Sequence, residues 1–223
     1  MVTHGKGKIL ATAIGLATLA CGFTSAAPAS LPDPALDAPL AQTKGQDSIV
    51  LAGGCFWGVQ AVFQSVKGVM QAVSGYAGGS AATAYYEYVG TGATGHAESV
   101  QVTYDPSQVT LGQILKIFFS VAHDPTQIDR QGPDRGTQYR SAIFFSSAEQ
   151  KKIAEAYMEQ LQHANVFAKP IATELAPLNA FYEAEAYHQN YARLHPDNPY
   201  IALNDLPKVS ALEKEFPHLY KQP

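Results

Sequence analysis

Apolar and polar positions alternate in blocks that predict strands and helices in turn. Residues 48–52 form an apolar run that ends at two glycines, as expected of a buried central strand. Residues 57–66 are predicted to form a helix, and residues 69–76 a second strand. In residues 98–104, apolar side chains alternate with Ser99, Gln101 and Thr103, which is the period of a strand.

The pattern continues through two further helices and one strand. Thr110 is a suitable N-cap for a helix with helically spaced apolar residues, and residues 142–145 are predicted to form a strand. Ser147 and Gln150 have the spacing of a capping box at the start of the next helix. Interleaved elements without a repeat predict an α/β (α+β) fold, a single two-layer domain over residues 47–223 with helices packed on a mixed sheet.

Two long segments, residues 77–97 and 123–140, are predicted to be loops because they are rich in glycine, proline and polar residues. Loops of this length inside a compact domain are usually functional or disordered. We expect functional loops here, because they contain aromatic and hydrogen-bonding residues that are costly to leave in solvent. These residues are Tyr85, Tyr86, His96, Gln138 and Tyr139.

The N-terminal region has the layout of a secretory signal peptide. Lys6 and Lys8 precede an apolar run of about fifteen residues, which is shorter than the roughly twenty that span a membrane. Small residues follow, so we predict a signal peptide over residues 1–26 and a linker rich in proline and alanine over residues 27–46. The protein is therefore expected to be exported, to the periplasm, with no membrane span after cleavage. A transmembrane anchor and a lipid anchor at Cys21 are the alternatives.

Cysteine count and composition narrow the function further. The chain has two cysteines, Cys21 and Cys55, so a mature chain without the signal peptide would keep only Cys55. A lone thiol in an oxidising compartment has no internal disulfide to form, and it is either inert or reactive. Hydrophobic residues make up 46%, charged residues 15%, and the net charge is −4. This composition indicates a globular protein and argues against a nucleic-acid partner, which would require a basic stripe.

Cys55 lies where the first predicted strand turns into the first predicted helix. At a helix N-terminus, unpaired N–H groups and the helix dipole favour an anion, so we expect a lowered thiol pKa. Gly53 and Gly54 permit the turn and a close approach by a substrate. Phe56 and Trp57 would form an apolar wall beside the sulfur. The cysteine is therefore predicted to be reactive.

Several motifs in one order resemble the peptide methionine sulfoxide reductases that act on the S epimer. The resemblance begins at residues 54–58 (Gly-Cys-Phe-Trp-Gly) and continues at residues 95–98 (Gly-His-Ala-Glu). It resumes at residues 136–141 (Gly-Thr-Gln-Tyr-Arg-Ser) and 187–191 (Tyr-His-Gln-Asn-Tyr). The resemblance implies a ferredoxin-like fold, repair of oxidised proteins after oxidative stress, and no metal or prosthetic cofactor.

The same resemblance implies roles for eight residues. Cys55 would attack the sulfoxide sulfur, and Glu98 would protonate the oxygen with help from Tyr86 and Tyr139. Phe56 and Trp57 would hold the S-methyl group, while Asp134 and His188 would lie near the substrate backbone or the pocket edge.

The position of Glu98 supports its role independently. Glu98 shares its strand parity with Val100 and Val102, so its side chain should be buried. Burial raises the pKa of a carboxyl group and keeps its proton available.

The chain differs from many family members because residues 56–223 contain no cysteine that could resolve an oxidised Cys55. Attack on a sulfoxide would leave Cys55 as a sulfenic acid, which normally condenses with a second thiol. We therefore expect regeneration by an external thiol, such as thioredoxin, glutaredoxin or a small thiol. We expect the protein to act as a monomer on oxidised proteins or peptides, and on free methionine sulfoxide as a further substrate.

Three other interpretations compete with this one. His188 lies 133 residues after Cys55, within the roughly 130–150 spacing of papain-like hydrolases, but the motif around their cysteine is absent. A second alternative is an exported binding module with an inert Cys55. Residues 90–95 fit a dinucleotide-binding pattern, which we reject because they lead into a strand and not into a helix.

Overall fold

The computed structural model describes residues 1–3 and 30–222. Most of the predicted signal peptide, including Cys21, lies outside the described residues. The helices and strands are β1 (Asp47–Gly53), α1 (Phe56–Gln64), β2 (Val69–Ala77), α2 (Tyr86–Val89), β3 (Ala97–Tyr104), α3 (Leu111–Ile117), β4 (Arg130–Gln131), β5 (Asp134–Arg135), β6 (Ser141–Phe145), α4 (Ala148–His163), β7 (Glu174–Pro177), β8 (Phe181–Glu183), α5 (Tyr191–Leu194) and α6 (Leu206–Glu215).

Six strands form one mixed sheet in the order β7-β6-β1-β3-β2-β8, in which only the β6–β7 pair is parallel. The inner four strands follow the chain order β1-α1-β2-β3-α3-β6 and lie in the order β6-β1-β3-β2. This antiparallel arrangement is the split βαβ topology of ferredoxin-like folds. The predicted α/β fold, a single domain with helices packed on a mixed sheet, is confirmed.

Strand β1 is buried on both faces, which explains its continuous apolar sequence. Ile49 and Leu51 face the helices in the main hydrophobic core. Val50 and Ala52 face the other side, where they pack in a smaller cluster with Phe144. Because β1 is central and buried, its last residues give the turn at Cys55 a fixed starting point.

The two predicted helix caps have different outcomes. Thr110 and Gln113 form a complete capping box at the start of α3. Ser147 accepts a hydrogen bond from the Gln150 backbone at the start of α4, as predicted. The Gln150 side chain, however, accepts from the Ser146 N–H at 2.9 Å, one residue before the N-cap. The predicted capping box at Ser147 is therefore only half formed.

The described part of the predicted linker contains no helix or strand, and it is fixed to the helical layer. The Tyr157 hydroxyl donates to the Pro32 carbonyl at 2.9 Å, and Lys116 Nζ lies 2.7 Å from Asp33 Oδ1. Asp37 accepts hydrogen bonds from the Thr110 hydroxyl and the Gly112 N–H at the start of α3. These contacts lie along α3 and α4.

Several short elements have no sequence prediction. The two long loops contain α2 and the β4–β5 hairpin, and the chain after α4 adds β7, β8, α5 and α6. These elements are mostly two to four residues long, so their periodicity is too brief to read. Within the described residues, no helix is both long enough and apolar enough to cross a membrane.

Candidate active site

Cys55 occupies the turn between β1 and α1. Gly54 has φ +87, and a side chain there would place its Cβ 2.4 Å from Gln131 Cβ. Only glycine fits this conformation and this contact without strain. Cys55 itself has a non-helical backbone with φ −52 and ψ 121, so it is the N-cap residue of α1. The turn therefore places the sulfur at the open end of the helix.

Glu98 meets this turn from strand β3. Its side chain is 3% exposed and lies on the same face of the sheet as Val100 and Val102, as the strand alternation predicts. The Phe56 N–H, one residue after the cysteine, donates to Glu98 Oε2 at 3.1 Å. A single buried hydrogen bond thus joins the first turn of α1 to the carboxyl group.

Burial gives Glu98 an unusual protonation state. It raises the pKa of Glu98 to about 8, and the nearby Asp134 and Asp205 raise it further, while the Phe56 N–H opposes the shift. A buried carboxyl group loses the hydration of its charged form, which is why the neutral form is favoured. Glu98 is therefore neutral near pH 7 and holds a proton, as expected for a general acid.

The Cys55 thiol differs from the sequence expectation. Burial raises its pKa well above its usual value, with further contributions from Glu98 and Asp205. The Trp57 backbone N–H and Lys208 act in the opposite direction. The prediction of a lowered thiol pKa is wrong for the protein without substrate, because loss of hydration outweighs the favourable end of the helix.

His188 lies at the centre of an aromatic group beside the thiol turn. Its ring centroid is 4.4 Å from that of Tyr86, 5.0 Å from Phe56 and 5.8 Å from Trp57. The Trp57 indole N–H donates to His188 Nδ1 at 3.2 Å. Since an indole nitrogen only donates, a neutral His188 carries its proton on Nε2.

This tautomer separates His188 from a papain-like role. The histidine is 2% exposed, and its Nε2 has no hydrogen-bond partner within the described part of the chain. Neither ring nitrogen is bonded to Cys55 among the described residues. The papain-like pairing of Cys55 with His188 is therefore wrong.

Residues 187–191 dock on α1 through amide side chains. Gln60 Nε2 donates to Gln189 Oε1 at 2.8 Å, and the Asn190 N–H donates to Gln60 Oε1 at 2.8 Å. Gln189 also bonds both backbone groups of Ser74 on β2. These contacts fix the segment that carries His188 against the helix that begins at the cysteine.

Tyr86 and Tyr139 approach Glu98 and Cys55 from the two long loops. Burial raises the pKa of both tyrosines, and the charges of Glu98 and Cys55 raise it further. The four groups are therefore close enough to interact. The Tyr86 N–H donates to Glu185 at 3.0 Å, which fixes the start of α2. Both tyrosines are protonated at neutral pH and can donate hydrogen bonds.

The segment that carries Tyr139 is tied to the other loop. The Thr137 hydroxyl donates to the Gly92 carbonyl at 2.6 Å, and Gln138 Nε2 donates to the Gly90 carbonyl at 3.0 Å. Gln138 thus has a structural role. His96 does too: it accepts from the Gly79 N–H at 3.2 Å and is 1% exposed. Residues 90–95 lead into strand β3 and not into a helix, as expected from the rejection of a dinucleotide site.

A cavity of about 70 Å³ opens beside the thiol and includes residues that the sequence analysis missed. Cys55, Asp134, Tyr200, Asn204 and Lys208 line it. The Tyr200 hydroxyl donates to Asp134 Oδ2, which holds Asp134 at this site. Tyr200 and Lys208 come from the C-terminal region, where no recognised motif marked them. Of the predicted site residues, Asp134 lines this cavity with Cys55, the aromatic group contains Phe56, Trp57, Tyr86 and His188, and Glu98 bonds the Phe56 N–H.

The groups around Cys55 indicate the kind of reaction that the site can support. A buried thiol faces a neutral carboxyl group, hydroxyl donors and an aromatic group, while the described residues contain no cluster of side chains able to hold a metal ion. A thiol beside a proton donor suits a reaction in which sulfur accepts an oxygen atom and the oxygen needs a proton. This is the arrangement of a thiol-dependent oxidoreductase.

Comparison with known proteins identifies the family. A family model described as peptide methionine sulfoxide reductase matches residues 47–220. The chain is 57% identical to peptide methionine sulfoxide reductase MsrA 2 of Mesorhizobium japonicum, over 80% of this chain and 91% of the relative. It is 49% identical to MsrA of Thermus thermophilus, over 79% and 98%.

Two solved structures are also similar. Reduced Mxr1 from Saccharomyces cerevisiae has a TM-score of 0.63 at 34% identity, covering 70% of this chain and 92% of that one. Methionine sulfoxide reductase A of Corynebacterium diphtheriae has a TM-score of 0.59 at 38% identity, covering 70% and 77%. The chain belongs to the peptide methionine sulfoxide reductase family and is an oxidoreductase, which contradicts the alternative of an inert binding module.

Replacing Glu98 by glutamine should change thiol reactivity and turnover in opposite directions. Above about pH 8, Glu98 carries a negative charge, and this charge raises the pKa of Cys55. Glu98→Gln removes the charge, so the thiol should ionise at lower pH. Turnover should fall by a factor on the order of 10²–10⁴, because glutamine cannot supply a proton. The measurements are the pH dependence of Cys55 alkylation by iodoacetamide and steady-state sulfoxide reduction. Unchanged turnover, or an alkylation midpoint shifted to higher pH, would contradict the assignment.

Proposed function

We propose that Cys55 and Glu98 carry out the reduction of methionine S-sulfoxide in oxidised proteins. The observation that carries this proposal is the buried Phe56 N–H to Glu98 hydrogen bond, which holds a neutral carboxyl group beside the helix end that bears the thiol. Family membership supports the reaction, and the contacts support the assignment of each residue. Free methionine S-sulfoxide is a second substrate in this proposal.

The substrate binds with its S-methyl group against Phe56 and Trp57. The stacking of Trp57 on Tyr191, with ring centroids 3.9 Å apart, and its bond to His188 keep the indole in one orientation. The sulfoxide oxygen then points towards Glu98, Tyr86 and Tyr139, which are protonated donors near pH 7. A sulfoxide oxygen is a strong acceptor, so donors that are already in place need no rearrangement.

Attack and protonation occur together. The Cys55 sulfur forms a bond to the sulfoxide sulfur while Glu98 gives its proton to the oxygen, and the proton of the Cys55 thiol passes to Glu98 in its place. The oxygen then moves to Cys55, which becomes a sulfenic acid, and the thioether leaves. The substrate sulfur gains two electrons and Cys55 loses two. A neutral Glu98 also removes the repulsion that an ionised carboxylate would exert on the thiolate.

His188 and Asp134 position the rest of the substrate. The buried Nε2–H of His188 has no acceptor within the described chain, so a backbone carbonyl of the substrate is a suitable partner. Asp134 is held by Tyr200 and has a carboxylate that accepts a substrate N–H. Exposed Tyr187, whose ring centroid is 4.3 Å from that of His188, extends the apolar surface outward for protein substrates.

The sulfenic acid is returned to the thiol by an external reductant. Residues 56–223 contain no cysteine, and in this proposal an external thiol forms a mixed disulfide with Cys55 and releases water. A second thiol then releases Cys55 by exchange. Thioredoxin, glutaredoxin or a small thiol fits this role. We propose that the active form is a monomer.

A reaction without reductant tests this cycle. The purified protein and an excess of methionine S-sulfoxide should yield one methionine per chain and a sulfenic acid at Cys55 that dimedone traps. Cys55→Ser is the matched control and should yield none. Methionine formed by Cys55→Ser at the wild-type yield, or an equal yield from the R epimer, would contradict the proposal.

We also propose that the protein is exported to the periplasm. Support comes from the sequence alone, in the two lysines, the apolar run and the small residues that precede the catalytic domain. The intact mass of protein from a periplasmic fraction should correspond to a chain that lacks residues 1–26. A full-length chain recovered from the cytoplasm would contradict export, and a lipid-modified Cys21 would indicate an anchored form.

A further inference from the structure

Asp205 and Lys208 form a charge pair against the first turn of α1. Asp205 is fully buried and accepts a hydrogen bond from Lys208 Nζ through Oδ1 at 3.2 Å. Its other carboxylate oxygen, Oδ2, is buried without a hydrogen-bond partner in the described part of the structure. A half-satisfied buried carboxylate is costly, so it requires a reason beyond packing.

The pair reaches α1 because residue 58 is a glycine. A Cβ at Gly58 would lie 2.1 Å from Asp205 Oδ1 and 2.8 Å from Lys208 Nζ. Gly58 follows Cys55 by three residues, and residues at that spacing lie on the same side of a helix about one turn apart. The ammonium group therefore lies against the first turn of the helix that Cys55 caps, and it lines the same cavity as the thiol.

Lys208 also lines the cavity beside Cys55. Among the described residues that line this cavity, it is the one with a positively charged side chain. Asp205 ends a wide π-helical turn, Ile201–Asp205, that leads into α6. Such turns occur frequently at functional sites. The backbone there deviates from a regular helix just where the two charged side chains approach α1.

We propose that Lys208, held by Asp205, is a positioning residue that stabilises negative charge on the Cys55 sulfur during attack and during release by the reductant. This inference rests on the proposed role of Cys55. The negative charge of Asp205 offsets part of the effect of the Lys208 ammonium group on the resting thiol. The thiol therefore stays protonated in the resting protein, although a cation lies close to it.

Other charges face the same sulfur and have to be held constant in a test. Glu98 on β3 acts on Cys55 directly, Asp134 on β5 lines the same cavity, and the charge of Cys55 acts on the hydroxyls of Tyr86, Tyr139 and Tyr200. Burial raises the pKa of Asp205, and Lys208 opposes that shift. A variant at Lys208 alone would change the charge of Asp205 as well, so the two effects need separate variants.

The test compares Asp205→Asn with the double variant Asp205→Asn, Lys208→Met in the full chain. Asparagine keeps the shape and removes the compensating charge, so Cys55 alkylation by iodoacetamide at pH 7.5 should become at least threefold faster than in the wild type. Adding Lys208→Met should slow it at least fivefold relative to Asp205→Asn. Adding Lys208→Arg instead should keep the rate within twofold. The full pH profile gives the midpoint for each variant.

Lys214→Met, an exposed lysine on the same helix, is the control and should match the wild type. Equal rates for Asp205→Asn and the double variant would overturn the proposal. If the Met variant does not fold, an Asp205→Asn profile no faster than the wild type would overturn it. Turnover by Cys55→Ser would instead refute the role of Cys55, which separates the two failures.

Discussion

One hydrogen bond, from the Phe56 N–H to Glu98 Oε2, fixes the relation between the thiol and the acid. It joins the start of α1 to the middle of the sheet across a buried boundary. The turn at Gly54 sets where α1 begins, and the alternation of β3 sets which way Glu98 points. Every other side chain of the site is arranged around these two groups.

Burial raises the pKa of both Glu98 and Cys55, which favours catalysis at Glu98 and opposes it at Cys55. Raising the pKa of Glu98 from 4.5 to about 8 means that the site favours its neutral form by about 5 kcal/mol more than water does. This keeps a proton available near pH 7. The same burial raises the pKa of Cys55, so the thiolate needs help from the Trp57 N–H and Lys208. In the proposed reaction the aromatic group binds the substrate, and the polar cavity stabilises charge on the sulfur.

Sequence patterns predicted the parts that depend on local rules. The strand, glycine turn and helix around Cys55 follow from apolar runs and glycines, and the burial of Glu98 follows from strand parity. The raised thiol pKa did not follow, because it depends on loss of hydration and on Asp205, which is distant in sequence. Tyr200 and Lys208 were missed because only the folded chain brings the C-terminal region to the cavity. The resemblance supplied the roles of Tyr86, Tyr139 and His188, because loop composition marked the two tyrosines only as residues that are costly to leave in solvent.

The proposed reaction depends on Glu98 being a neutral acid beside Cys55 in the resting protein. Infrared difference spectroscopy across a pH titration measures this directly, because a protonated carboxyl group has its own C=O band. A buried carboxylic acid band should be present at pH 7, disappear as the pH rises through about 8, and be absent from Glu98→Gln. If Glu98 is fully ionised at pH 6 to 7, it cannot be the proton donor described above.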